Sequence, residues 1–205
     1  MEREARAAGF ARVAGADEAG RGSLFGPVFA AAVILSPDRP IKGLRDSKLL
    51  SAGRREELAA VIVERAVAWA VSSVEAALID RINIYNASGL AMKQALEQLE
   101  PAPDYALVDG MRLDILLPHQ RVIHGDARCQ AIAAASILAK VRRDECIRQW
   151  DQVFPRYGLA RHKGYGTPDH LKALVVHGPT PQHRFSFEPV HDARSGFLWE
   201  AVEGS

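Results

Sequence analysis

The sequence is poor in cysteine, has no long hydrophobic run and carries almost no net charge, and each of these absences excludes a class of protein. Two cysteines in 205 residues are too few for a small secreted fold built on disulfides. The longest apolar runs, residues 28–35 and 131–139, fall far below the ~20 residues that a membrane-spanning helix needs. A net charge of +1 at pH 7 means that any preference for a polyanion must come from local clusters of charge.

The N-terminal residues and the cysteines indicate a reducing compartment. The first fifteen residues contain charges but no apolar block behind them, so the sequence offers no secretory signal, and we expect a cytoplasmic protein with no membrane partner. Cys129 and Cys146 are predicted to lie on one helix, 17 positions and roughly 25 Å apart, whereas a disulfide requires Cα atoms within about 7 Å. Both thiols are therefore expected to be reduced, and a zinc-finger spacing of Cys and His is absent.

The composition is that of a folded domain, because 48% hydrophobic residues supply enough buried surface to offset the loss of chain entropy. Apolar runs bounded by turn residues predict strands at 10–17, 28–35, 68–74, 105–108 and 121–124. Helical spacing of apolar residues predicts helices at 54–67, 83–99, 129–150 and 168–176. Ser51 is a predicted N-cap. This order indicates an α/β fold, a mixed sheet flanked by helices, in which the first two strands pair antiparallel.

Carboxylates stand at the ends of three predicted strands, each one or two residues from a glycine: Asp17 with Glu18, Asp109, and Asp126. Side chains from neighbouring strand ends converge in α/β folds, and carboxylates gathered there would repel one another unless a cation neutralised them. Oxygen ligands suit Mg²⁺ or Mn²⁺, and two such ions about 3.5–4 Å apart form the usual site for phosphodiester hydrolysis. The alternative is that these acids cap helices or lie solvated in loops, and spacing alone leaves both interpretations open.

Two further aspartates are not assigned to this cluster. Asp144 lies 18 positions after Asp126 and has Arg148 one helical turn further on, which predicts an exposed ion pair. Asp114 lies in a predicted loop, and nothing in the sequence ties it to the other acids.

The sequence around the predicted acids closely resembles that of a known family. The stretch AGADEAGRGSLFGPVFAAAVIL at residues 14–35 resembles the N-terminal signature of bacterial ribonuclease HII. Further blocks of that family follow in order: DSK at 46–48, IDRINI at 79–84, VDG at 108–110, GDARCQAIAAASILAKVRRD at 125–144, GYGT at 164–167 and HRFSF at 183–187. Each block alone is weak, but the ordered set is highly specific and covers residues 14–190.

The resemblance implies a ribonuclease H-like catalytic domain over residues 1–190, with a small C-terminal helical part for substrate binding at 155–190 and a tail at 191–205. It implies an endoribonuclease that uses Mg²⁺ or Mn²⁺, as two ions, to cut RNA–DNA hybrids and duplex DNA containing single ribonucleotides. Cleavage 5′ to the ribonucleotide would leave 3′-hydroxyl and 5′-phosphate ends. The family's catalytic and metal-binding acids correspond here to Asp17, Glu18, Asp109 and Asp126.

The resemblance also implies a backbone turn and a tyrosine for substrate recognition. Gly20, Arg21 and Gly22 follow the acidic pair, and in the family this segment contacts the ribonucleotide, whose 2′-hydroxyl a glycine backbone can approach. Tyr165 stands between two glycines, and in the family this ring packs on the neighbouring deoxyribose. Without the resemblance, a hairpin turn and a tyrosine that anchors a loop to the core are the plainer interpretations.

Cations are the remaining candidates for substrate binding. Residues 119–172 hold twice as many Lys and Arg as Asp and Glu, which predicts a surface for a phosphate backbone. Individual candidates are Lys48, Lys140, Arg142 and Arg184. His183 with Arg184 has a second interpretation, namely support of the fold through loop hydrogen bonds.

Four positions depart from the family pattern without removing a carboxylate. Ser23 stands where proline is usual and Phe25 where a small residue is usual. Met111 replaces a common asparagine, and Ala131 replaces a common serine. Because proline would fix the backbone, Ser23 predicts a less rigid turn.

Other functions and partners stay open at this point. A junction resolvase of the same superfold and a non-catalytic hybrid-binding module are the alternatives. Ribonuclease HIII is a closer relative, but it carries an additional N-terminal domain, and only residues 1–13 precede the first motif. Residues 197–199, Phe-Leu-Trp, are a candidate contact for a sliding clamp, although surface packing is the plainer interpretation. Nothing in the sequence demands more than a monomer.

Overall fold

The computed structural model describes residues 1–44, 47 and 50–195, and these residues form two compact units. The first unit comprises Met1–Ala19, Phe29–Ser73 and Ser88–Arg142. The second comprises Gly20–Val28, Val74–Ala87 and the described chain from Arg143 onward. The predicted boundary at residue 190 falls within the last described helix, which begins at Glu188.

The first unit contains the sheet and the helices beside it. Its strands are β1 (Val13–Ala19), β2 (Val28–Ile34), β3 (Ala68–Val74), β4 (Tyr105–Asp109) and β5 (His119–Val122). Its helices are α1 (Glu2–Ala7), α2 (Ala52–Arg65), most of α4 (Ile84–Glu97), α5 (Gly125–Arg128) and the first half of α6 (Gln130–Val153). The predicted N-cap is confirmed, because the Ser51 hydroxyl accepts a hydrogen bond from the Arg54 N–H.

The strands form a mixed five-stranded sheet in the order β3-β2-β1-β4-β5. β1 pairs antiparallel with β2, and it pairs parallel with β4, which in turn is parallel to β5. This confirms the predicted mixed sheet and the antiparallel first pair. The central position of β1 places the residues at its C-terminal end beside those of β4.

Small side chains let α6 lie directly on the sheet. Ala131, Ala134 and Ala135 of α6 are buried, as are the alanines of β2. At Gly15 in β1 the contact is between backbones, since a Cβ built there would lie 2.2 Å from the carbonyl carbon of Ala131. Larger apolar side chains from α2, β2 and α6 fill the adjoining core, among them Ile62. The close packing of β1 and α6 is what fixes the acids described below.

The second unit is held together by an aromatic core. Its helices are α3 (Ala76–Ile82), the second half of α6, a 3₁₀ turn at Pro155–Tyr157, α7 (Leu159–His162), α8 (Pro168–His177) and α9 (Glu188–Ser195). Phe25 is fully buried and meets the rings of Trp150 and Phe154 edge-on, with centroids 6.2 and 6.1 Å apart. The departure from a small residue at this position therefore fills the core of the unit.

Several predicted boundaries are wrong in ways that matter for function. β1 ends at Ala19 rather than at residue 17, because its ladder with β2 continues to the pair Ala19↔Phe29. The predicted helix at 129–150 begins at Gln130 and extends to Val153, after the separate helix α5. β5 occupies His119–Val122, two residues earlier than predicted, and α1 and α3 were not predicted.

The cysteines and the hydrophobicity of the helices agree with the expectations from the sequence, with one correction. Cys129 lies in extended backbone between α5 and α6, so the two cysteines do not share a helix. Both thiols are free, Cys129 buried and Cys146 half-buried. Over the residues that the structure describes, every helix is too short or too polar to cross a bilayer.

Candidate active site

The strand register brings two of the predicted acids to one end of the sheet. β1 and β4 pair in parallel from Val13↔Tyr105 to Ala16↔Val108, so one further residue along each strand places Asp17 beside Asp109. Asp17 and Glu18 lie within β1 and not after it. The two strands therefore hold these acids on rigid backbone, which favours a precise arrangement.

Asp17 is a buried acid with charged neighbours. Its side chain is 5% exposed, and its carboxylate accepts hydrogen bonds from the Ser136 hydroxyl in α6 and, at 2.7 Å, from the Glu18 N–H. Burial, followed by the negative charges of Glu18 and Asp109, raises the pKa of the Asp17 carboxyl well above its ordinary value. The carboxylates of Asp17, Glu18 and Asp109 are therefore close enough to repel one another.

Asp109 connects this pair to Asp126. The Asp109 Oδ1 accepts a hydrogen bond of 2.7 Å from the N–H of Gly125, the first residue of α5. A Cβ at Gly125 would lie 2.5 Å from the Ile132 Cδ1 and 3.0 Å from the same Oδ1, so any larger residue there would require the Ile132 side chain to move. Asp126 follows directly, in the first turn of α5 and 7% exposed, and not ahead of one long helix as predicted.

The structure thus brings the acids near one another, but it does not arrange them as a formed set of metal ligands. Asp17, Glu18 and Asp109 interact electrostatically, and Asp126 follows the residue that is bonded to Asp109. Among the described residues, no three Asp, Glu, His or Cys side chains have the spacing of a formed metal site. A divalent cation would nevertheless stabilise a buried carboxylate that two neighbouring carboxylates repel. The residues therefore fit such an ion.

The glycine turn lies in the second unit and rests on a buried arginine. Gly20 has φ +92°, and a Cβ there would lie 1.9 Å from the Nε of Arg143, so a side chain is excluded. At Gly22 a Cβ would meet nothing within 4 Å, which leaves the backbone approachable. The exposed Arg21 lies with its guanidinium 5.6 Å from the centre of the Tyr85 ring.

The turn is held by side chains instead of proline. The buried Ser23 donates from its hydroxyl to the carbonyl of Phe25 at 3.0 Å. Arg184 is fully buried and donates to the carbonyls of Gly26 and Arg21, each at 2.9 Å. The expectation of a less rigid turn is therefore not supported, since these bonds fix the backbone that proline would otherwise restrict.

Tyr165 lies beside the turn, on a short bridge to Ser23. Its side chain is 37% exposed, and the guanidinium of Arg143 lies 5.3 Å from the ring centre. Arg143 also donates to the Lys163 carbonyl at 2.9 Å. One buried guanidinium thus underlies both Gly20 and Tyr165.

The cations predicted to bind substrate differ in how deeply they are buried. Arg142 is exposed in α6, and Lys140 of the same helix is half-buried. Arg184 is buried where it bonds the turn, as the alternative of loop support predicted, and Lys48 lies outside the described residues. The predicted exposure of Asp144 is wrong, because this side chain is buried and lies 4.0 Å from Arg143.

Sequence reasoning missed two supporting residues, one in each unit: Ser136 beside the acids and Arg143 beneath the glycine turn. Ser136 bonds Asp17 and lies 2.9 Å from the hydroxyl of Ser47; its signal is that it alone interrupts the apolar run at 131–139. Arg143 resembles its neighbour Arg142 in sequence. Only the packing shows that one of them is buried under the turn and the other is exposed.

Comparison with known proteins places these residues in a family. A family model for ribonuclease HII matches residues 14–190 of the chain, which includes the four predicted acids, the turn and Tyr165. The ribonuclease HII of Solibacter usitatus (strain Ellin6076) is 63% identical over 190 residues, which cover 93% of this chain and 83% of that protein.

Solved structures share the fold. The ribonuclease H2 from Pyrococcus horikoshii OT3 is 25% identical, with a TM-score of 0.77 over 91% of this chain and 99% of that one. A chain in the PCNA:RNase HII complex from Archaeoglobus fulgidus is 28% identical, with a TM-score of 0.73 over 89% of this chain and 96% of that one.

Proposed function

Because the chain belongs to the ribonuclease HII family, whose members are endoribonucleases for RNA–DNA hybrids, we propose that it cuts with Asp17, Glu18, Asp109 and Asp126 as its acidic site. The substrates are the RNA strand of hybrids and duplex DNA with single embedded ribonucleotides. Cleavage 5′ to the ribonucleotide leaves 3′-hydroxyl and 5′-phosphate ends. The observation that carries this proposal is geometric: the parallel register of β1 and β4 sets Asp17 beside Asp109, and Asp126 follows the residue whose N–H bonds Asp109.

The acidic residues are arranged to hold divalent cations. Two bound ions, Mg²⁺ or Mn²⁺, would lower the pKa of the attacking water and stabilise the leaving 3′-oxygen. The protein contributes fixed carboxylates: the Ser136 hydroxyl and the Glu18 N–H orient Asp17, and the Gly125 N–H orients Asp109. No side-chain nucleophile is needed, because the chain supplies position and negative charge.

The glycine turn and Tyr165 provide the recognition of the ribonucleotide. The backbone at Gly22 is open, and a backbone that both donates and accepts hydrogen bonds can read a 2′-hydroxyl without reading the base. The partly exposed Tyr165 ring offers a flat surface for a sugar. Exposed cations of the second unit, Arg156, Arg161 and Lys172, gather around one concave surface and supply contacts to the phosphate backbone.

One assay tests the function. The substrate is an end-labelled DNA duplex with one ribonucleotide, incubated with and without Mg²⁺ or Mn²⁺. We expect a single cut 5′ to the ribonucleotide, only with the ion, and no resolution of a four-way junction. Ion-independent cleavage, or cleavage of the junction alone, would contradict the proposal.

A matched variant isolates the charge of one acid. Asp109→Asn keeps the Oδ1 that accepts from Gly125, so the local backbone should be retained while the negative charge is lost. We expect turnover to fall by about 10³-fold or more, with hybrid binding largely unchanged. Turnover at the wild-type rate in Mg²⁺ would remove Asp109 from the site.

Two finer points extend the proposal. Residues 197–199 are a candidate contact for a sliding clamp, and they lie outside the described residues. The complex from Archaeoglobus fulgidus supports such a contact by analogy. We propose a monomer as the active form, and sedimentation of the full chain with and without a clamp tests both points.

A further inference from the structure

A pair of buried histidines lies behind the loop that carries Tyr165. His170 of α8 and His183 are both fully buried, and their Nε2 atoms are 3.2 Å apart. The His183 Nδ1 lies 2.9 Å from the Thr180 N–H, and the His170 Nδ1 lies 3.0 Å from the Tyr165 carbonyl. These contacts form one continuous series of hydrogen bonds from Thr180 to Tyr165.

This series of hydrogen bonds determines which ring nitrogen carries the proton in each histidine. A backbone N–H only donates, so the His183 Nδ1 must accept and the proton of His183 lies on its Nε2. A carbonyl only accepts, so the His170 Nδ1 carries its proton and its Nε2 is free to accept. His183 therefore donates to His170, and His170 donates to Tyr165. Both rings are neutral, and each is required in one tautomer.

The groups that face the pair support this neutral state. The ring of His162 stacks on His170 at 4.5 Å, and its Nδ1 accepts from the Gly164 N–H. The Tyr157 ring lies 5.2 Å from His183. Among the described residues, no carboxylate contributes to the electrostatic environment of either ring, and burial lowers the pKa of both.

Tyr165 needs such support because glycines flank it. Gly164 has φ +77°, and a chain with glycine on both sides has wide conformational freedom. Arg143 supports the ring, while the carbonyl of Tyr165 accepts from the Thr167 N–H at 2.8 Å as well as from His170. The bond from His170 links the Tyr165 carbonyl to α8.

We propose that His170 and His183 are positioning residues for Tyr165, acting through its carbonyl to set the ring for recognition of the ribonucleotide. This inference rests on the proposed role of Tyr165 in binding substrate. We assign neither histidine a direct contact with substrate. Their contribution is to hold one loop conformation in place of many.

The test is a double-mutant cycle on the duplex with one ribonucleotide. We expect His170→Ala to lower kcat/KM by about five- to tenfold, the worth of one lost hydrogen bond to a loop. His170→Asn, whose amide can donate from near the Nδ1 position, should stay within about threefold of wild type. In a Tyr165→Ala background, His170→Ala should cost nothing further, because its route of action is gone.

The outcomes separate this inference from the proposed function. Additive losses in the cycle would refute the inference alone. Wild-type kcat/KM in Tyr165→Ala would refute the recognition role of Tyr165, and the inference with it. The exposed His191→Ala serves as the control and should match wild type.

A second readout does not depend on the folding of any variant. In the wild-type protein, ¹⁵N spectra at pH 7 should show His170 protonated on Nδ1 and His183 protonated on Nε2. An imidazolium at either position, or the opposite tautomers, would overturn the proposal.

Discussion

The contact between Gly15 and α6 makes one substitution unusually informative. In Gly15→Ala the new methyl carbon would lie 2.2 Å from the carbonyl carbon of Ala131, 2.3 Å from the Ile132 nitrogen and 2.6 Å from the Ala131 oxygen. All three atoms belong to the backbone, so no side chain can rotate away. Since non-bonded carbons settle at about 3.5 Å, β1 and the first turn of α6 must separate by on the order of 1 Å.

That displacement acts on the acids from both sides. Asp17 lies two residues after Gly15 on the same face of β1, and Asp126 lies five residues before Ala131. A shift of about 1 Å in a catalytic constellation can cost about 100-fold in rate, and overpacking costs about 1–3 kcal/mol of stability. We therefore expect kcat to fall about 100-fold and the free energy of unfolding to fall by about 2 kcal/mol.

The assay compares kcat on the duplex with one ribonucleotide and urea unfolding of the same preparations. The matched control is Gly53→Ala, an exposed position in α2 where a Cβ meets nothing within 4 Å. That variant should keep wild-type kcat and gain up to about 1 kcal/mol of stability. Wild-type kcat and stability in Gly15→Ala would refute the argument that backbone packing of β1 on α6 fixes the acids.

Three further predictions concern the histidine pair, one acid and the basic surface. Burial lowers the pKa of His170 to about 4 and of His183 to about 3, so below pH 6.5 the unfolded chain binds two protons that the folded protein excludes. Lowering the pH from 7 to 5 should therefore lower the free energy of unfolding by about 4 kcal/mol through these two histidines. Urea unfolding at both pH values measures this loss as the difference between the wild-type protein and a His170→Asn, His183→Gln double variant. Asp17→Asn should raise the free energy of unfolding without divalent ions by about 1 kcal/mol, because it removes a repelled buried charge, and should abolish cleavage. Replacing Arg156 and Lys172 by alanine should reduce the slope of log affinity against log salt by about one to two, measured by anisotropy of a labelled hybrid.

The neighbouring positions of Asp17 and Asp109 could be predicted because their signal is local. Asp17 and Asp109 each follow an apolar run and adjoin small residues, a pattern that indicates a strand end whatever the rest of the chain does. The ends of β1 and α6 were harder to predict. β1 continues through Asp17 because its partner β2 extends the ladder. α6 begins only after the extended residue Cys129, and the Ala131 N–H in its first turn donates to Glu2 of α1.

The supports of the site could not be predicted because they depend on contacts distant in the sequence. Arg143 and Arg142 are equivalent by composition, and only packing buries the first beneath Gly20. Asp144 has Arg148 one turn away, yet it is buried near Arg143. Burial of charge is set by tertiary structure, and helical spacing carries no information about it.

Anomalous scattering from Mn²⁺ in crystals of the wild-type protein tests the central assignment most directly. We expect Mn²⁺ density bonded to carboxylate oxygens of Asp17 and Asp109, and loss of that density in Asp109→Asn. Crystals of active protein with Mn²⁺ bound elsewhere, and none at these two carboxylates, would contradict it.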